Sequence, residues 1–110
     1  MDKAEKKKIL AELIHFSEEG YDELLGILLL QAAETIKELR AAAEKGDFYS
    51  VAKIAHTLKG PSGSLRVTSL YETAKSIEAV AKENPDRNKI VGNIVHLEEA
   101  LSQLKAPETG

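Results

Sequence analysis

The sequence predicts an all-α protein, an antiparallel up-and-down four-helix bundle with an extra N-terminal helix. Between breakers, apolar residues recur at three- and four-residue spacing, the period of a helix that buries one face. Only three prolines and seven glycines interrupt the 110 residues. No Asn-Gly or Asp-Gly dipeptide marks a β-hairpin.

Residues 2–19 place Ile9, Leu13 and Phe16 on one face and read as a first helix that Gly20 ends. Asp22 is placed to cap a second helix of about 24 residues, roughly 36 Å long at 1.5 Å per residue. Its inward positions are Leu25, Leu28, Ala32, Ile36, Leu39 and Ala43, and Gly46 supplies a left-handed stop. Asp47 caps a third helix with Val51, Ala55, Leu58, Ser62 and Leu65 inward. Ser69 and Glu72 have the spacing of a capping box and open a fourth helix through Leu70, Ala74, Ile77 and Ala81. Asn84-Pro85-Asp86 closes it, and a fifth helix turns Ile90, Ile94, Leu97, Leu101 and Leu104 inward. Short connections make consecutive helices antiparallel neighbours. One domain is expected over residues 1–106, with residues 107–110 a tail.

Composition narrows the function classes. A 12.0 kDa chain with 43% hydrophobic and 30% charged residues can fold around its own core. Fifteen basic against 18 acidic residues give a net charge of −3, which argues against nucleic acid as a partner. The absence of cysteine excludes disulfides, thiolate metal sites and cysteine nucleophiles. The apolar run at residues 24–30 is about a third of the ~20 residues a membrane span needs, and the first residues are too charged for a secretory signal. A soluble, monomeric, cytoplasmic domain without membrane contact is expected.

Chemistry in such a bundle falls to its histidines. Glu12 and His15 form one half of a di-iron carboxylate pattern, but Asn93 stands where His96 would need a glutamate. No metal site is therefore expected, with His15 a half-buried edge residue and His96 solvated. His56 differs. Its helix face carries Ala52, Lys59, Gly60 and Gly63, and two helical glycines cost roughly 0.5–1 kcal/mol each relative to alanine. The result is an imidazole above a flat, side-chain-poor surface with a cation one turn away. Gly60 also precedes Pro61, where a missing Cβ relieves the proline clash, but this accounts for neither Gly63 nor Lys59. Two readings stay open here: a functional exposed histidine, or an incidental one in a structural helical adaptor.

The stretch His56-Thr57-Leu58-Lys59-Gly60, followed by Gly63, Leu65, Leu70 and Ile77-Glu78, resembles the histidine phosphotransfer (HPt) domain pattern. That pattern reads H-x-L-K-G, then small residues, an L-G pair, a downstream leucine and an L-E pair. Residues 68–78 are also similar to the phosphoacceptor domain of chemotaxis-type histidine kinases, and the resemblance is close over residues 47–83. Arg66 stands where the family usually has glycine and Pro61 where serine or alanine is common, which leaves the exit of the third helix open.

The resemblance implies that His56 accepts a phosphoryl group from a histidine kinase or a receiver-domain aspartate and passes it on. Ala52, Lys53, Gly60 and Gly63 would then meet the partner, and Lys53 and Lys59 would screen phosphoryl charge. It implies a phosphocarrier, not an enzyme with its own ATP site. No cofactor is expected, since the sequence carries no phosphate loop or acidic metal cluster. Geometry nominates a partner for the ring. Folding the third and fourth helices antiparallel about Val67 puts His56 and Glu78, each eleven residues away, at one height. Glu78 matches the glutamate that chemotaxis-type kinases hold beside their histidine; the alternative is a solvated surface carboxylate. Lys75 is a further cation for the same patch. The competing function is an adaptor that binds proteins without phosphotransfer.

Overall fold

The structure, a computed structural model, describes residues 1–105, so the expected tail at 107–110 lies outside the described residues. Five helices follow in order: α1 (Lys3–Glu12), α2 (Glu18–Glu44), α3 (Phe48–Ser64), α4 (Thr68–Glu83) and α5 (Arg87–Lys105). The described residues contain no strand. Helices α2 to α5 pack as a ring in which each touches the next and α5 closes against α2. The core holds most of the positions expected from spacing, with Leu28, Leu39, Leu58, Ile77, Leu97 and Leu101 all buried, while Leu25 and Leu104, also expected inward, are only partly buried against it.

The N-terminal region departs from expectation. Asp2 caps α1 by accepting from the Glu5 N–H, but the helix stops at Glu12 and a turn follows. Ser17, not Asp22, caps α2, its hydroxyl accepting from the Gly20 N–H. Gly20 thus lies inside the first turn of α2 and ends nothing. Two acidic residues, Glu18 and Glu19, occupy that first turn and favour a helix start there. Lys6 bridges the break through Glu18 at 3.2 Å and Asp22 at 3.1 Å. Buried Tyr21 donates to the Leu65 carbonyl at 2.6 Å, tying α2 to the exit of α3.

Both turns that flank α3 are Schellman motifs. After α2, the Gly46 N–H reaches the Ala43 carbonyl and the Asp47 N–H the Ala42 carbonyl, with Gly46 at φ 70°. After α3, the Arg66 N–H reaches Gly63 and the Val67 N–H reaches Ser62, with Arg66 at φ 57°. The family's usual glycine is the residue that this left-handed position favours, and Arg66 occupies it at a steric cost. Pro61 does not end α3, which runs on to Ser64. Val67 then leads straight into α4 without a side-chain cap, so Ser69 and Glu72 lie inside the helix and form no capping box.

Gly63 corrects a second expectation. It is helical, but a Cβ there would stand 3.0 Å from Cδ1 and 3.2 Å from Cε1 of Tyr71 on α4. The residue permits a close approach of α4 instead of leaving a bare surface. Gly63→Gln should therefore cost about 1 kcal/mol, overpacking outweighing the gain in helix propensity. In a Tyr71→Ala background the same change should become neutral or stabilising by urea denaturation. Stabilisation with Tyr71 present would mean that the ring yields freely.

Candidate functional site

The tight turn between α3 and α4 fixes their register, and the two helices pack side by side. His56 Nδ1 lies 2.8 Å from Glu78 Oε2. Lys59 Nζ donates to Glu78 Oε1 at 2.6 Å, and Lys82 Nζ lies 3.4 Å from Oε2. The His56 side chain is 66% exposed while that of Glu78 is only 8% exposed. The imidazole thus stands on the surface over a carboxylate that is sunk between the helices.

Charge explains why that carboxylate tolerates burial. The Lys59 ammonium holds the Glu78 carboxyl at about 2, with His56 and Lys82 helping and burial opposing. Lys59 in turn is raised, chiefly by its bond to Glu78. An ionised carboxylate only accepts hydrogen bonds, so Nδ1 carries the proton and the Nε2 lone pair is the one left for the exposed side. The same shift has a consequence in acid. Because the folded value lies below the ordinary 4.5, the stabilisation from ionised Glu78 is complete above that value and is lost as pH falls toward 2. Urea midpoints should fall across this window, and Glu78→Gln should flatten that part of the profile. An unchanged slope in the variant would show that other carboxylates set the acid limb.

A family model of the Hpt domain matches residues 23–107, most of the chain, from within α2 through α5. The chain belongs to the Hpt domain family. Comparison with curated proteins and with solved structures returns no match. Hpt domains are phosphocarriers of two-component phosphorelays, without an ATP site of their own. Helix α1 lies before the matched segment.

Within this Hpt domain the other expected residues divide. A Cβ at Gly60 would meet nothing within 4 Å, so the surface is bare there but not at Gly63. Ala52 is buried on the side of α3 that faces α4. Lys53 is turned over the Tyr49 ring, 5.6 Å from its centroid, and Lys75 over Tyr71 at 6.0 Å. Neither has an ion pair with Glu78, whereas Lys82 does. Sequence reasoning passed over Lys82, although its i, i+4 spacing from Glu78 was the available signal. His15 is exposed instead of half-buried, because α1 ends at Glu12 and the histidine falls in the turn. Glu12 and His15 therefore share no helical face. His96 is exposed on α5. No helix of the described residues is long and apolar enough to cross a membrane.

Proposed function

We propose that this Hpt domain relays phosphoryl groups through His56, between a histidine kinase and one or more receiver-domain aspartates, as a cytoplasmic monomer. The observation that carries the reading is the exposed imidazole held at Nδ1 by the buried Glu78 carboxylate. A neutral ring so held presents one lone pair, at Nε2, to a partner arriving from solvent.

In the forward step the Nε2 lone pair forms the N–P bond as the donor's P–O bond breaks. The bonding pair leaves with the donor oxygen, on a nucleoside diphosphate or an aspartate carboxylate. Nδ1 keeps its proton throughout, and the positive charge that develops on the ring is opposed by Glu78 at 2.8 Å. Transfer onward reverses these movements. Lys59 keeps Glu78 ionised and in place, a positioning role, since it reaches the carboxylate and not the ring. Any Mg²⁺ and the remaining charge stabilisation come from the partner.

Incubation with a kinase core and ATP, or with a phosphorylated receiver, should label the domain with one acid-labile, base-stable phosphate that peptide mapping places on His56. Absence of label with every kinase and receiver of the source genome would favour the adaptor reading instead.

A further inference from the structure

Helix α2 carries a face that the bundle leaves unused. Leu24, Ile27 and Leu30 follow one another at three-residue spacing on its outer side, and Ile27 is 62% and Leu30 70% exposed. Gly26 sits beside them in mid-helix, where a Cβ would meet nothing within 4 Å, so no packing inside the domain calls for a glycine. The face is also acidic. Residues 18–38 hold six carboxylates and a single basic residue, Lys37, although the whole chain carries only −3. Lys6 takes up Glu18 and Asp22, and Lys37 takes up Glu34. Exposed Glu19, Glu23 and Glu38 have no ion pair among the described residues. In the ring, α2 packs against α3 and α5 and stands diagonally opposite α4, whereas His56 lies over the seam of α3 with α4. The outer face of α2 therefore looks away from the side where His56 stands.

We propose that this face seats a basic amphipathic helix of an anchoring partner, its apolar stripe on Leu24, Ile27 and Leu30 and its lysines or arginines against Glu19, Glu23 and Glu38. Exposed aliphatic residues scattered singly need no explanation, but three on one helical stripe form a contiguous patch of the kind that marks an interaction site. Charge complementarity selects a basic flank, because the unpaired carboxylates steer and orient a positive surface. A second copy would set the same acidic rim against itself, and an anionic lipid surface would repel it. Shape selects a helix, since a ridge of residues three and four apart enters the groove of another helix, and bare Gly26 lets the two backbones approach. From Glu19 to Glu38 the face runs about five turns, roughly 28 Å at 1.5 Å per residue. His56 stays uncovered, so the partner holds the domain in place while phosphoryl transfer proceeds on another side of the bundle.

The probe is a synthetic amphipathic helix with one stripe of leucines flanked by lysines, titrated into the whole nitrogen-15-labelled domain. A second peptide carries glutamates in place of the lysines. The lysine peptide should bind saturably and shift amides concentrated in residues 19–38, and the glutamate peptide should not bind. Ile27→Gln and Glu23→Lys should each weaken binding about tenfold while keeping the wild-type melting temperature, since both side chains are exposed. Added salt should weaken binding to the wild type. Val91→Gln, on the exposed side of α5, should leave the affinity unaltered. Phosphoramidate should label His56 at one rate with and without the bound peptide. Shifts centred on the seam of α3 and α4, equal binding of the glutamate peptide, or unaltered affinity in both α2 variants overturns the inference. Labelling slowed by the peptide overturns it too, because the face would then not be separate from His56. Self-association that Ile27→Gln abolishes would assign the face to a second copy, and binding of anionic vesicles would assign it to a membrane; either result overturns the proposal. If the peptide binds α2 while His56 takes no label, the anchoring face stands and the phosphoacceptor reading fails.

Discussion

His56→Gln is expected to take up no phosphate from any donor while keeping wild-type helicity and melting temperature. The ring is two-thirds exposed and its hydrogen bond is to Glu78, so its loss opens no cavity. Glu78 keeps Lys59 and Lys82 as partners, so no buried charge is stranded. Surface changes of this kind move stability by about 0.5 kcal/mol or less. Activity, by contrast, loses its only nucleophilic lone pair, for which an amide nitrogen is no substitute. His15→Gln and His96→Gln should label fully, since among the described residues neither histidine has a carboxylate ordering its ring. Phosphate counting by mass spectrometry on the three variants reads the result. Label that persists in His56→Gln would move the phosphoacceptor elsewhere.

Periodicity carried the fold a long way because a buried stripe is a collective signal. Ala55, Leu58 and Ser62 are buried together, so an error of one residue at a helix end leaves the face intact. Helix ends are single-residue events and were less legible. Ile9, Leu13 and Phe16 keep helical spacing across the break after Glu12, so the pattern cannot register that Ser17 starts a new helix. The Ser69–Glu72 pair has capping-box spacing, but the Schellman turn at Leu65–Val67 delivers the chain into α4 two residues earlier. That same tightness made the His56–Glu78 contact legible, since a short symmetrical turn keeps residues equally distant from it at one height. What needed the rotation of α4 about its own axis was not readable from spacing. The ring of Tyr71 against Gly63 and the seat of Lys82 on Glu78 belong to that class.

Glu78→Gln is expected to slow phosphorylation of His56 about tenfold to a hundredfold without abolishing it, the range typical of a carboxylate that backs a working histidine. Glutamine keeps the size and one acceptor oxygen, so α3 and α4 stay in register. Three things change together. The ring loses an obligatory acceptor, because the amide can present its NH₂ to Nδ1 and favour the tautomer with the proton on Nε2. The charge that develops on the phosphorylated ring loses its counter-ion 2.8 Å away. Lys59 and Lys82 remain as cations beside that ring with no carboxylate between them. The first effect lowers the fraction of competent nucleophile, and the other two disfavour the phosphorylated product, so both the rate and the final extent of labelling should fall. With a small donor such as phosphoramidate, docking drops out and the defect should persist undiminished. Nitrogen-15 shifts of the ring should show the Nδ1-protonated tautomer dominant in the wild type and mixed in the variant. A variant with wild-type rate, extent and tautomer would leave Glu78 as a structural tie between α3 and α4, with no part in the transfer.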